Sequence, residues 1–203
     1  FLLRMNGKNI LVDTGFGRMV PDNLKRLGLS YDDIDAILIT HMHGDHVGGL
    51  LKDDDAAFDK ADVYISAPEM AYWGDEAIMA KQPAERQGGF KDAMHIFRVY
   101  GDRIKSFAPG DLGADAADLI PGIKPLAAYG HTPGHTMFLA GSGDDAILFW
   151  GDLTHAMAIQ MPEPQVALTY DVDPDMAVKT RARVLKYVAD NKLAVAGAHV
   201  PSP

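Results

Sequence analysis

Cysteine is absent from this 203-residue chain. Its absence excludes disulfide bonds, thiolate metal sites, iron–sulfur clusters and cysteine nucleophiles. A chain without cysteine is indifferent to the redox state of its surroundings, so the compartment stays open. Any bound metal would have to be held by imidazole nitrogens and carboxylate oxygens, a ligand set that zinc, manganese, iron and cobalt accept.

Long apolar runs and basic charge are also scarce. No run approaches the roughly eighteen residues that a membrane span needs, so we expect a soluble chain with no membrane partner. The chain has 19 basic and 28 acidic residues, a net charge of −9. Because no basic stripe is present, nucleic acid is a poor candidate partner. The first residue is Phe1 and not Met, so we expect the natural start to be missing, which leaves cytoplasmic and exported (periplasmic) localisation both open.

Composition and pattern predict one globular domain over residues 1–203, since 47% of residues are hydrophobic and 23% are charged. Asn6-Gly7 between two apolar stretches predicts a β-hairpin over residues 1–12. Residues 36–40 form an apolar run typical of a buried strand. Ser66 followed by Glu69 predicts a capped helix that runs to about residue 81.

The remaining elements alternate along the chain. Strands are predicted over residues 62–65, 104–107, 123–128, 137–140, 146–150 and 193–196, and helices over residues 22–28, 85–100 and from 173 onward. This mixture of hairpins and crossovers favours an α+β fold, with a sheet-based core and helices on its outer faces.

A dense cluster of ligand-type side chains directly follows the 36–40 strand. It reads His41-Met42-His43-Gly44-Asp45-His46. In an extended segment, residues two apart point the same way, so His41 and His43 can reach one ion. The turn at Gly44 then lets Asp45 and His46 reach a second point nearby. So dense a pattern predicts metal binding.

Three further candidate ligands, His131, Asp152 and His199, each follow a predicted strand. Ligands at strand ends are held by a rigid sheet, as a preorganised site requires. An isolated histidine is more often an ordinary surface or core residue, and this is our interpretation of His95. The run Asp53-Asp54-Asp55 lacks the spacing of an EF-hand and is interpreted as a solvated loop.

These motifs, in this order, resemble the metallo-β-lactamase superfamily. The residues that carry the resemblance are Val12-Asp13-Thr14-Gly15, the 41–46 cluster, Gly130-His131-Thr132-Pro133-Gly134-His135, Gly151-Asp152 and His199. Residues 44–50 and 118–136 are most similar to the methyl parathion hydrolase branch, which is related to the quorum-quenching lactonases. The resemblance implies an αββα sandwich with metals in a cleft at one sheet edge. It also implies truncation at both ends, because relatives have strands before the hairpin and after the final histidine.

The resemblance further implies a ligand set for two divalent metal ions, with zinc expected and manganese, iron or cobalt also acceptable. His41, His43 and His131 would hold one metal, Asp45, His46 and His199 would hold the other, and Asp152 would bridge them with one oxygen to each. Asp13 is expected to orient a ligand histidine or its loop by hydrogen bonds, the alternative being an ordinary turn carboxylate. Thr40, Thr132 and His135 are expected to support the ligand loops.

This ligand set implies a dinuclear hydrolase. Two metals that share a water would lower its pKa from far above neutrality towards about 7, and the bridging hydroxide would then be the nucleophile. One metal would polarise the carbonyl or phosphoryl oxygen, and the other would stabilise the leaving alkoxide. Asp152 and Asp45 are the candidate catalytic residues, the first as the bridge and the second as a proton relay to the leaving group.

An insert over about residues 67–101 carries the candidate substrate pocket. Trp73, Phe90 and Met94 are its apolar candidates, and His155 is a further candidate close to Asp152 in sequence. Such walls favour apolar esters, aryl phosphotriesters or acyl lactones as small-molecule substrates over a polyanion, which a chain of this charge would repel. The alternative is that these side chains pack two helices together or form a homodimer interface.

Two other functions compete with this prediction. A glyoxalase-II-like thioesterase would need a C-terminal helical region, which this sequence does not contain. A non-catalytic metal-binding module of the same fold would be expected to have lost at least one ligand, and every expected ligand type is present.

Overall fold

The computed structural model describes residues 1–200. The chain divides into two compact units, Phe1–Phe107 and Ala108–Pro203, which we call the N-terminal and C-terminal units. The single domain predicted over residues 1–203 stays a prediction. Its last three residues lie outside the part of the chain that the structure describes. Within residues 1–200, no helix has the length and apolar character needed to cross a membrane.

The N-terminal unit is built on a five-stranded sheet. Its elements are β1 (Leu2–Met5), β2 (Lys8–Val12), α1 (Val20–Arg26), β3 (Ala36–Leu38), α2 (Gly44–Val47), β4 (Leu51–Lys52), β5 (Asp55–Ala56), β6 (Asp62–Ser66), α3 (Ala67–Trp73), α4 (Glu76–Ala80), α5 (Gln87–Tyr100) and β7 (Ile104–Phe107). The sheet order is β1-β2-β3-β6-β7, with β4 and β5 forming a separate small hairpin. Buried side chains of β3 and β6 share one core with Trp73, Phe90 and Ile96 of α3 and α5.

Strand direction in this sheet collects the loops that follow the strands. The pairs β2–β3, β3–β6 and β6–β7 are parallel, and only β1 is antiparallel to its neighbour. The carboxyl ends of parallel strands meet at one edge of a sheet, where open α/β sheets carry their sites. Asp13, the 41–46 cluster and the start of α3 therefore emerge at the same edge.

The C-terminal unit is built on a four-stranded sheet. Its elements are β8 (Ile123–Ala127), β9 (Thr136–Ala140), β10 (Ile147–Phe149), α6 (Met157–Gln160), α7 (Pro174–Asn191) and β11 (Ala194–Ala196). The sheet order is β11-β10-β9-β8. Val184 of α7 is fully buried in one core with Leu126, Met137 and Leu148 of the strands.

The predicted mixture of sheets and flanking helices is confirmed, and the ends of most predicted elements shift by at most two residues. One element is wrong: the helix predicted up to about residue 81 is the pair α3 and α4. The break lies at Gly74 and Asp75, because the Asp75 side chain accepts hydrogen bonds from the backbone N–H groups of Ala77 and Ile78 and so starts a new helix.

Candidate metal centre

Asp13 organises the candidate ligands of the N-terminal unit. It follows β2 in the left-handed conformation, with φ of 55°, which aspartate tolerates better than most residues. Its carboxylate accepts hydrogen bonds from the Thr40 backbone N–H and from Thr40 Oγ1, both at 2.8 Å. It also lies 2.8 Å from His46 Nδ1. The orienting role of Asp13 stays a prediction, and it would act through these contacts.

These contacts fix which nitrogen of each histidine carries the proton. An ionised carboxylate only accepts hydrogen bonds, so His46 donates to Asp13 through Nδ1–H, and Thr40 donates its single hydroxyl proton. The Thr40 oxygen lies 3.0 Å from His41 Nδ1 and must therefore act as the acceptor there. In both rings Nε2 then carries the lone pair that a metal requires.

Sheet register places the candidate ligands of the C-terminal unit. β8 and β10 are both antiparallel to β9, and β11 is parallel to β10, so β8, β10 and β11 end at the same edge. Phe149 pairs with Ala196, and Asp152 and His199 each follow three residues later. The two side chains meet there, with His199 Nε2 3.4 Å from Asp152 Oδ2. His131, from the β8–β9 loop, lies 3.4 Å from the same oxygen.

A buried aspartate orients His131. Asp171 is 5% exposed, and its Oδ1 lies 2.9 Å from His131 Nδ1 while its Oδ2 accepts from the Leu168 N–H. Arg181 of α7 is 1% exposed and donates to the carbonyl oxygens of Leu153, Pro164 and Val166. Its guanidinium lies 3.8 Å from Asp171, so α7 supports both the loop after Asp152 and the partner of His131.

The charges in this network shift two pKa values in opposite directions. Burial disfavours the charged imidazolium of His131, but the nearby carboxylates of Asp152 and Asp171 outweigh burial, and the pKa of His131 is raised. Burial alone would raise the pKa of Asp171, but the hydrogen bonds from His131 and the Leu168 N–H, with Arg181 nearby, lower it. Asp171 is therefore held ionised, as a partner that accepts the Nδ1 proton must be.

The His131 loop lies directly against the start of α7. A Cβ atom at Gly130 would lie 2.2 Å from the Ala177 nitrogen, and Gly130 has φ of +129°. The loop carbonyls of Gly130 and His131 accept from the N–H groups of Asp173 and Val172. Only glycine fits this position, since it needs both positive φ and the space of the missing side chain.

His135 has the contacts of a loop support, as predicted. It is fully buried, and its Nε2 accepts from the Asp152 N–H at 3.0 Å. Nδ1 then carries the proton and lies 3.1 Å from the Ala128 carbonyl oxygen. This histidine therefore fixes the backbone of Asp152, and its lone pair is used within the protein.

The candidate pocket residues occupy different environments. Trp73 and Phe90 are 6% and 2% exposed and pack against each other, with ring centroids 4.7 Å apart. Met94 is partly buried against the same core. His155 lies beside the candidate ligands, with Nε2 2.9 Å from Asp152 Oδ2 and its ring stacked on His199 at 4.8 Å. Their roles towards a substrate stay predictions.

Three functional candidates were not predicted from the sequence: Asp171, Arg181 and the carboxylate of Glu69. Glu69 was expected only as part of a helix cap, and its N–H does donate to Ser66 Oγ. Asp171 and Arg181 lack any sequence signal, because their partners are distant in the chain. His95, in contrast, contacts the Asp54 carbonyl oxygen and Arg98, in agreement with its interpretation as an ordinary residue.

The spacing of the donor atoms fits metal ions. The histidine tautomers favour metal binding as well. Four ligand pairs lie 3.1–3.6 Å apart: His41 Nε2–His43 Nδ1, His46 Nε2–Asp45 Oδ2, His131 Nε2–Asp152 Oδ2 and His199 Nε2–Asp152 Oδ2. Two ligands about 2.05 Å from a tetrahedral zinc ion are about 3.3 Å apart. The hydrogen-bonded His–Asp pairs nearby are shorter, at 2.8–2.9 Å.

The family model described as the metallo-beta-lactamase superfamily matches residues 1–199. This match covers almost the entire chain, and the chain belongs to that superfamily, as the motifs predicted.

Solved structures extend the match to the whole fold. The hydrolase AbOPH of the beta-lactamase superfamily is 33% identical, with a TM-score of 0.86 over 98% of this chain and 71% of that one. AidC, a dizinc quorum-quenching lactonase in complex with a product, is 28% identical, with a TM-score of 0.88 over 100% of this chain and 72% of that one.

Curated relatives match over a shorter segment. Ribonuclease Z from Clostridioides difficile (strain 630) is 49% identical over 49 residues, which are 24% of this chain and 15% of that protein. The matched segments reach no more than a fifth of the length of the first such relatives.

Proposed function

We propose that this chain is a dinuclear metal-dependent hydrolase that cleaves a small apolar ester, lactone or phosphotriester. We propose His41, His43, His131 and Asp152 as the ligands of one ion, and Asp45, His46, Asp152 and His199 as the ligands of the other. Zinc is the ion we propose, because the nitrogen and carboxylate ligands suit it and AidC is described as a dizinc enzyme.

The spacing of ligand atoms is the observation that carries this proposal. The His–Asp ligand pairs are longer than the hydrogen-bonded His–Asp pairs beside them, at 3.6 Å against 2.8 Å in the N-terminal unit and 3.4 Å against 2.9 Å in the C-terminal unit. A carboxylate and an imidazole that were merely hydrogen-bonded would approach to about 2.8 Å. The longer spacing is what two ligands of a common ion need.

Asp152 lies beside candidate ligands of both ions. His131 and His199, which are assigned to different metals, both approach its Oδ2. We therefore propose that Asp152 would contribute to the binding of both ions. His155 also reaches Oδ2 and would hold this carboxylate in place.

The remaining side chains have different proposed roles around the bond that is cleaved. A pair of divalent ions would lower the pKa of a shared water towards about 7 and polarise the bond under attack. Asp45 is 28% exposed, so its carboxylate can reach a leaving group and pass it a proton. The carboxylates of Asp13 and Asp171 hold His46 and His131 in the ligating tautomer.

The substrate class follows from charge and from an apolar segment beside His155. Between residues 159 and 172 five large apolar side chains are exposed: Ile159, Met161, Val166, Tyr170 and Val172. The ring centroid of Tyr170 lies 6.3 Å from that of His155. An apolar acyl or aryl group suits such a segment, while the net charge of −9 disfavours nucleic acid. The proposed partner is thus a small molecule. A homodimer of this chain stays a prediction, and the compartment in which the protein works stays open.

Replacing the proposed bridge tests the metal and the activity together. Protein purified without added metal should contain two equivalents of a divalent ion by elemental analysis. It should hydrolyse at least one of a p-nitrophenyl ester, an acyl-homoserine lactone and an aryl phosphotriester. Asp152→Ala should lose metal, and kcat/KM should fall by about a thousandfold or more, whereas Asp144→Ala, at an exposed position, should match the wild type. Full metal content and activity in Asp152→Ala would disprove the bridge.

A further inference from the structure

Glu69 and Trp73 form a buried pair on α3 that reaches the ligand segment. Glu69 is 1% exposed, and the two residues are one helical turn apart, so their side chains lie on the same face. The Trp73 indole N–H donates to Glu69 Oε1 at 2.7 Å. Such a short bond to a carboxylate is among the stronger hydrogen bonds in proteins.

The same carboxylate oxygen holds the backbone between two candidate ligands. Glu69 Oε1 accepts a hydrogen bond from the Met42 N–H at 2.9 Å. Met42 is itself 1% exposed and stands between His41 and His43. The peptide that carries both ligands is therefore fixed by an acceptor 27 residues further along the chain.

Trp73 also contacts a candidate ligand directly. Its ring lies edge-on to the His43 ring, with centroids 5.6 Å apart and planes at 80°. The indole is held from the other side, because Phe90 packs on it and a Cβ at Gly89 would come within 3.1 Å of Trp73 Cζ3. Its freedom to move is therefore small.

We propose that Glu69 and Trp73 are positioning residues that set the orientation of His43 towards the metal. Glu69 fixes the Met42 peptide and the indole N–H, and the indole edge then limits rotation of the His43 ring. This inference rests on the proposed metal centre. In this inference Trp73 acts through His43. From the sequence, Trp73 was predicted to contact the substrate directly.

Three variants test this role. Glu69→Leu removes the acceptor, Glu69→Gln keeps an amide oxygen that can accept both hydrogen bonds, and Trp73→Phe keeps a ring but removes the N–H. Tyr100→Phe is the matched control, because it also loses buried hydrogen bonds in this unit, and these join Tyr100 to Phe58 and Leu50. Metal affinity is measured by competition with a chromophoric chelator, and ligand geometry by the visible absorption of the Co²⁺-loaded protein.

Removal of an outer hydrogen-bond partner of a metal site lowers metal affinity by about 10- to 100-fold. We expect a loss of this size in Glu69→Leu with a changed Co²⁺ spectrum, a smaller loss in Trp73→Phe, and affinity within about threefold of wild type in Glu69→Gln and Tyr100→Phe. If Glu69→Leu does not fold, a loss of affinity in Trp73→Phe must still appear.

Two results would overturn the inference. Wild-type metal affinity and Co²⁺ spectra in both Glu69→Leu and Trp73→Phe, with only KM raised, would make Trp73 a substrate contact and leave the proposed hydrolase intact. A wild-type chain that binds no divalent ion would overturn the inference and the proposed function together.

Discussion

The two units of this protein supply candidate ligands in opposite ways. In the N-terminal unit all four lie within residues 41–46, on one short stretch that continues into α2. In the C-terminal unit the three ligands are spread over residues 131–199 and come from three different loops. The first arrangement depends mainly on the local backbone, whereas the second depends on strand register.

The partners that orient the ligands differ in the same way. Asp13 contacts both Thr40 and His46, so this one carboxylate orders most of the cluster. In the C-terminal unit, His131 depends on Asp171 and Asp152 depends on His135. Arg181 supports the loops that carry these contacts. Ligands that come from separate loops therefore need several buried partners. Loss of one partner should mainly affect the ligand that it contacts.

The largest effect is expected where the C-terminal unit depends on a buried charge. Arg181→Met removes three hydrogen bonds to carbonyl oxygens and leaves the Asp171 carboxylate without its buried cation. Breaking a buried ion pair costs about 3–5 kcal/mol, so we expect the free energy of unfolding to fall by about 3 kcal/mol. Denaturant unfolding of the metal-free protein measures it.

The same helix offers a control. Arg183 is exposed on α7, and Arg183→Met should change the free energy of unfolding by less than about 0.5 kcal/mol. Equal unfolding midpoints for the two variants would show that Arg181 does not support the C-terminal loops.

Two single substitutions, one at each orienting carboxylate, test this difference between the N-terminal and C-terminal units. Asp13→Asn and Asp171→Asn each keep one acceptor oxygen but lose the charge that holds a histidine Nδ1–H. Each should weaken metal binding by about 10- to 100-fold, measured by chelator competition. Asp13→Asn should have the larger effect because its carboxylate serves both Thr40 and His46.

Asp175→Asn is the control for this pair, since Asp175 is exposed at the start of α7. Its metal affinity should equal that of the wild type. A larger loss in Asp171→Asn than in Asp13→Asn would reverse the conclusion that one carboxylate orders most of the N-terminal cluster.

The smallest effect is expected away from the ligands. The Tyr100 hydroxyl donates to the Leu50 carbonyl oxygen at 2.7 Å and accepts from the Phe58 N–H. Tyr100→Phe should lower the free energy of unfolding by about 1–2 kcal/mol, because buried polar groups lose their partner. Metal affinity should not change.

Tyr100 also makes the stability of the wild type depend on pH. Burial raises the pKa of Tyr100 from 10.0 to about 12. The folded state therefore holds the phenol proton more tightly than the unfolded chain, and stability present below pH 10 is lost as pH rises through 12. Unfolding curves from pH 9 to 12 should show a steeper loss in the wild type than in Tyr100→Phe. Parallel curves would contradict the shift.

The sequence by itself determined the chemistry of the candidate centre. Its lack of cysteine restricted the ligands to histidine and aspartate, and the density of the 41–46 cluster made metal binding predictable from spacing alone. The family followed from the order of these motifs, and the family match over residues 1–199 confirms it. The 41–46 cluster and each single motif lie within a few neighbouring residues, where local backbone geometry already determines what can meet.

Only the tertiary structure decided which side chains support that chemistry. Glu69 reaches Met42 across 27 residues, and Asp171 reaches His131 across 40. Neither contact leaves a periodic or composition signal, because a single buried carboxylate looks like any turn or cap residue in the sequence. Its partner is set by strand register and helix packing, and these depend on the whole core.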